Sequence, residues 1–97
     1  MVYTIDQIRQ IARPIAVAYG IKSMRLFGSY ARGEATEASD VDILIDRGHI
    51  RSGFVLGGLY DDLRAGLRKE LDMVTLQGTD PELLSQINKD GVLIYEQ

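Results

Sequence analysis

Asp40, Asp42 and Asp72 are the side chains whose types and settings could do chemistry, together with the bend Gly28-Ser29 and the arginine after it, Arg32. Two of the carboxylates stand one apolar residue apart in Ser39-Asp40-Val41-Asp42, and the third stands in Leu71-Asp72-Met73-Val74-Thr75. On an extended strand, residues i and i+2 project to the same side, so Asp40 and Asp42 come close enough to share a cation. Two carboxylates about 5 Å apart repel by roughly 3 kcal/mol at an effective dielectric of about 20, and Asp72 beside them repeats that cost. No Lys or Arg adjoins them within the motif. A hard, oxygen-loving divalent cation offsets the repulsion, and Mg2+ bridging to phosphate oxygens is the commonest case.

Gly28-Ser29 falls where an apolar strand hands over to a short helix. Glycine lets the backbone approach a phosphate closely, and a helix start offers free N–H groups and a favourable dipole. Ser29 adds a hydroxyl donor, and Arg32, about one turn on, is placed to pair with phosphate. Phosphates on one side and carboxylates on the other suit in-line nucleotidyl transfer with two Mg2+ ions. Two other motifs fail on chemistry. Gly28 and Gly33 have the spacing of a P-loop, but Glu34-Ala35 stands where Lys and Ser/Thr are required. Asp40-Val41-Asp42 begins like a calcium loop, but Leu44 and Ile45 occupy the positions that need a ligand and a glycine.

The elements that must carry these residues are legible from periodicity. Thr4 and Gln7 form a capping box ahead of Ile5, Ile8, Ala12, Ile15 and Tyr19 at near-helical spacing, with Gly20 as the stop. Pro14 removes a donor inside that pattern and predicts a kink, or a helix in two pieces. A short strand over Met24–Phe27 follows, then a helix over Tyr30–Glu34, a strand on which Val41, Ile43 and Ile45 share one face, and a polar loop from Asp46 to Gly53. Leu56, Leu59, Leu63 and Leu67 predict a helix to about Arg68; Gly53, Gly57 and Gly58 weaken its start, so something packs closely there or the turn is mobile. Leu71–Thr75 reads as a third strand, Asp80-Pro81 as the start of a helix to about Asn88, and Val92–Tyr95 as a last strand. The order predicts one α/β domain over residues 1–97, a small sheet with helices packed on it.

Composition agrees with one soluble domain. The chain has 97 residues, 45% hydrophobic and 26% charged, enough for one modest core and no elaborate substrate pocket. Part of the substrate site is therefore expected from another subunit or from the substrate, which is compatible with a homo- or hetero-oligomer. A net charge of −3 without a Lys/Arg run argues against strong direct nucleic-acid binding. Arg64, Arg68 and Lys69 read as a solvated face. There is no cysteine, no stretch of membrane-span length and no signal-peptide pattern, so a cytoplasmic location is expected.

Phe27-Gly28-Ser29-Tyr30-Ala31-Arg32-Gly33 followed by Ser39-Asp40-Val41-Asp42-Ile43-Leu44 resembles the signature of the minimal nucleotidyltransferases (MNT proteins) of the DNA polymerase β-like superfamily. The likeness extends to Pro14-Ile15-Ala16 with Tyr19-Gly20, to Phe54 with Leu56 and Leu59, and to Leu71-Asp72-Met73-Val74. It implies the polymerase β-like fold with a small mixed sheet. It also implies that Gly28 and Ser29 contact the triphosphate of ATP, that Asp40 and Asp42 bind both metals, that Asp72 is the third carboxylate and helps activate the acceptor hydroxyl, and that Arg32 assists phosphate binding. Small members of the family are commonly paired with a helical HEPN toxin. The resemblance thus implies AMP transfer from ATP to a hydroxyl of a protein partner by an MntA-like antitoxin, or else a nucleotide-binding partner that neutralises the toxin by masking it.

Blander roles compete at several positions. Asp40 and Asp42 could be a solvated strand end, Asp72 an exposed strand residue, and Arg32 a surface partner of Glu34 or Glu37. His49 is expected in solvent, Tyr30 in packing, and Tyr60, Leu56 and Leu59 in the core. A small-molecule nucleotidyltransferase would need a further domain for its acceptor, and the bare Asp-x-Asp of a glycosyltransferase needs a much larger fold.

Overall fold

Thr4 starts the first helix as its sequence predicts: its hydroxyl accepts from the Gln7 backbone N–H at 3.1 Å, and Gln7 Oε1 accepts from the Thr4 N–H at 2.9 Å. In the computed structural model, which describes residues 1–97, helix α1 (Ile5–Tyr19) runs as a single element through Pro14 and ends on Gly20 in the left-handed region. The expected division into two pieces does not occur. Pro14 is exposed, while Ile8, Ala12 and Ala16 are fully buried along another stripe, so packing of that stripe holds the helix together.

Strand β1 (Ser23–Phe27) leads directly into helix α2 (Gly28–Arg32), two residues earlier than periodicity predicts. Strand β2 (Val41–Asp46), helix α3 (Gly53–Leu67), strand β3 (Leu71–Thr75), a single 3-10 turn at Leu76–Gly78, helix α4 (Pro81–Asp90) and strand β4 (Val92–Glu96) complete the chain. Asp80 caps α4 by accepting from the Leu83 N–H at 2.9 Å. The sheet has the order β3-β2-β1-β4, with β1 antiparallel to both β2 and β4 and β2 parallel to β3. It is the small mixed sheet the sequence implies. No helix is long and apolar enough to cross a membrane.

Met24 and Leu26 of β1 stand in register with Ile45 and Ile43 of β2, and all four are fully buried with Ile8, Leu59, Leu63 and Leu67. This is the main core, lying between one face of the sheet and the α1–α3 pair. The other face carries Phe27, Asp42 and Asp72, aligned across three neighbouring strands. The site thus occupies the sheet face turned away from the main core.

Glycines in α3 answer the choice between close packing and mobility position by position. A Cβ on Gly58 would lie 2.9 Å from the Tyr19 hydroxyl, and one on Gly66 3.2 Å from Ile15 Cδ1, so α1 approaches α3 across both. The Tyr19 hydroxyl then donates to Asp62 Oδ2 at 2.6 Å. A Cβ on Gly57 meets nothing within 4 Å. Gly57→Ala is therefore expected to stabilise the protein by about 0.5–1 kcal/mol, raising Tm by a few degrees in a calorimetric scan. Phe54, in the first turn of α3, is 95% exposed, whereas Leu59 is buried and Leu56 and Tyr60 are half-buried against the core.

Candidate active site

Gly28 and Asp42 define the centre of the site. Phe27 and Asp42 are cross-strand neighbours, so the residue after Phe27 begins its turn directly beside the Asp42 side chain. Gly28 has φ of 71°, in the left-handed region, and a Cβ there would run into Asp42 Oδ2. Only glycine meets both demands. The carboxylate consequently lies against the first turn of α2, whose leading N–H groups have no partner within the helix. Ser29, the second residue of that turn, is half-buried.

Asp72 joins from β3. Parallel pairing puts Asp42 and Asp72 in register, which places their side chains on the same face of the sheet, one strand spacing apart. Asp40 lies one residue before β2, so it is a loop-end carboxylate and not a strand residue, and like Asp72 it is exposed. Asp42 is only partly exposed. Burial pushes its carboxyl above the usual carboxylate range, with repulsion from Asp72 and then Asp40 acting the same way and Arg32 opposing them. Asp72 and Asp40 therefore both act electrostatically on Asp42. The four ion pairs of the molecule include none of them.

Asp46, four residues along the same strand, makes the contrast. It accepts from the Gly48 N–H at 3.0 Å and from Gln77 Nε2 at 3.1 Å, and the first of these bonds leads in holding its carboxyl below the usual range. The fold thus satisfies a structural aspartate and leaves the three at the site without such bonds.

No three acidic side chains are drawn together into a ready-made metal cluster. Their donor set nonetheless fits Mg2+, which binds through one or two carboxylates and completes its shell with water and phosphate oxygens.

Arg32 stands on the same short helix and is the cation nearest in kind to this acidic field. Its Nε donates to Glu34 Oε1 at 2.7 Å, both side chains being about half exposed or more. That bond is the main reason its guanidinium is held further above its ordinary range, with Asp90 and Asp42 adding weaker attraction. Arg32 is therefore within the field of Asp42 while engaged by Glu34. Asp90, from α4, is a neighbour that no local spacing in the sequence points to.

Other expectations fall into place around this centre. Tyr30 is 3% exposed and packs in the main core, its hydroxyl without a hydrogen-bond partner. His49 is exposed at the far end of β2, in a second depression with Lys22 and Gln77. Arg64 and Arg68 are exposed and Lys69 is half-buried, in keeping with a solvated face, and all three line a groove of about 800 Å³ together with Ser39 and Asp40.

Residues 9–97 match the family described as "Polymerase beta, Nucleotidyltransferase". A Methanocaldococcus jannaschii protein, provisionally named a protein adenylyltransferase, is 38% identical over 88 residues, covering 91% of this chain and 95% of that one. Protein adenylyltransferase MntA of Thermococcus cleftensis is 37% identical over 75 residues, covering 73% of this chain and 76% of that one. Among solved structures, a chain from the complex of tri-AMPylated Shewanella oneidensis HEPN toxin with MNT antitoxin superposes with a TM-score of 0.74 at 18% identity, covering 97% of this chain and 74% of that one. At that identity the likeness is one of fold.

Proposed function

Because this chain belongs to the polymerase beta nucleotidyltransferase family, we propose that it transfers AMP from ATP to a hydroxyl of a protein partner, in the cytoplasm, as the antitoxin of a HEPN/MNT pair. The single observation that carries the reading is the seating of the Asp42 carboxylate against Gly28, with Asp72 in register beside it. That arrangement brings a glycine turn at a helix start and two carboxylates to one spot, which supports the reading. The MntA name of the Thermococcus relative supports AMP as the transferred group, and the Shewanella complex supports a HEPN protein as acceptor.

In this reading Gly28 and Ser29 hold the triphosphate through the start of α2, and Arg32 leaves Glu34 to pair with phosphate. Asp40, Asp42 and Asp72 would hold Mg2+, which neutralises phosphate charge and favours an in-line displacement. The acceptor hydroxyl oxygen attacks the α-phosphorus of ATP. A new P–O bond forms as the bond to the oxygen bridging the α- and β-phosphorus breaks, and that oxygen leaves with its electron pair as part of pyrophosphate. The hydroxyl proton passes to the exposed Asp72 carboxylate and from there to solvent.

Incubation of the protein with α-labelled ATP, Mg2+ and a HEPN partner tests this. Wild type is expected to label the partner. Asp72→Asn is expected to lower the rate by about 10²–10⁴-fold, as loss of a proton acceptor that also helps to hold Mg2+ requires. Absence of label from wild type across divalent-metal concentrations would overturn the transfer reading. Full silencing of the toxin by Asp40→Asn would favour masking.

A further inference from the structure

Resting on the transfer reading, we propose that the acceptor is presented as an extended segment that adds to the open edge of β3, with its hydroxyl-bearing residue opposite Asp72. The hydrogen-bond phase of β3 is fixed by the bond from the Val41 N–H to the Glu70 carbonyl, 3.0 Å. In a parallel ladder alternate residues turn their backbone groups to the neighbour. Glu70, Asp72 and Val74 therefore face β2, while Leu71, Met73 and Thr75 turn outward. The Thr75 carbonyl accepts from the Thr79 hydroxyl at 2.6 Å. Nothing in the sheet lies beyond β3 to take the N–H and C=O groups of Leu71 and Met73.

The opposite edge also has one carbonyl engaged by a side chain. There Arg9 from α1 donates Nε and a terminal guanidinium nitrogen to the Leu93 carbonyl of β4, at 3.2 and 3.1 Å. A side chain thus takes one carbonyl at each edge, and on β3 the bond at Thr75 leaves the backbone groups of Leu71 and Met73, on either side of Asp72, without a partner. Open edges are the surfaces to which extended peptides add as strands.

The register gives this edge its meaning. Gly28 beside Phe27, Asp42 and Asp72 follow one another across β1, β2 and β3 on the same face. One further strand places its residue opposite Asp72 at the next step, about 5 Å on. Phosphate-binding turn, carboxylates and attacking hydroxyl then stand in the order that an in-line displacement needs. The groove of about 800 Å³ opens at the start of this edge, where Ser39, Asp40, Lys69 and Glu70 meet Arg68.

The test uses nine-residue peptides with one central tyrosine flanked by Val and Thr, with N-acetyl-tyrosinamide as an acceptor that has no strand to add. On the 15N-labelled wild-type protein, the peptide at millimolar concentration is expected to shift the amide signals of Leu71 and Met73 and slow their exchange. Met73→Pro removes an outward N–H and no bond to β2. It is expected to keep Mg-ATP binding and labelling of N-acetyl-tyrosinamide, and to lower peptide labelling about tenfold. Peptide labelling unchanged in Met73→Pro, or peptides that leave both amide signals unmoved in wild type, would overturn the proposal. The amide measurement needs no variant to fold. Shifted amides with no AMP transferred to any acceptor would leave edge docking standing and remove the transfer reading instead.

Discussion

Asp42→Asn is expected to lower AMP transfer on the order of 10²–10³-fold or more while raising the melting temperature of the metal-free protein. The two effects have one origin. Asp42 is held on a partly buried face, against Gly28 and in the field of Asp72 and Asp40, and its carboxyl is raised above the usual range by burial first and by those neighbours second. A carboxylate with a raised folded value binds its proton more tightly in the native state than in the unfolded chain. Native stability therefore falls as pH rises from the ordinary aspartate value through the raised one, and above that window the loss is complete. Asparagine carries no such charge. The Tm difference between Asp42→Asn and wild type should be greatest near neutral pH and vanish below about pH 3, where both side chains are uncharged. Scanning calorimetry in the presence of a chelator, over that pH range, checks the sign. A variant less stable than wild type at pH 7 would show that Asp42 serves the fold and not the site.

Gly28→Ala should fail in both respects. An added Cβ meets the Asp42 carboxylate, and a φ of 71° strains any side chain, so the expected cost is about 2–4 kcal/mol, or a fall in Tm of about 10–20 °C. Relief of the contact by moving Asp42 or opening the turn displaces the groups proposed to meet the triphosphate, so transfer and Mg-ATP binding should be lost together. A double-mutant cycle separates the two causes. In an Asp42→Gly background the colliding carboxylate is gone, and Gly28→Ala should cost only the backbone strain, about 1–2 kcal/mol. Equal costs in the two backgrounds would mean that the glycine is required for its φ alone.

Much of the architecture was legible in the sequence because it is local. The capping box at Thr4, the Asp80-Pro81 start and the leucine steps of α3 act within a few residues of themselves, and each element they predict is present. The departures occur where packing overrides local preference. Pro14 does not divide α1, because the buried stripe through Ile8, Ala12 and Ala16 continues past it. Helix α2 starts at Gly28 and not at Tyr30, since β1 hands its chain directly into the turn that Asp42 abuts. Glycine in α3 is explained by close approach at Gly58 and Gly66 and has no such explanation at Gly57.

By itself the sequence determined which groups could do chemistry: a glycine-serine turn, an aspartate pair one apolar residue apart, and a third aspartate on an apolar strand. These are statements about residue type and short spacing, and short spacing survives folding. Only the tertiary structure decided that Asp72 stands in register with Asp42, since parallel pairing joins residues 30 positions apart through no local signal. It also decided that Asp40 ends a loop, that Asp90 enters the field of Arg32, and that β3 is an edge strand whose Leu71 and Met73 have no strand beyond them. Strand order and register are set by which apolar faces can be buried together, a property of the whole chain, and the site is built on the face that this burial leaves over.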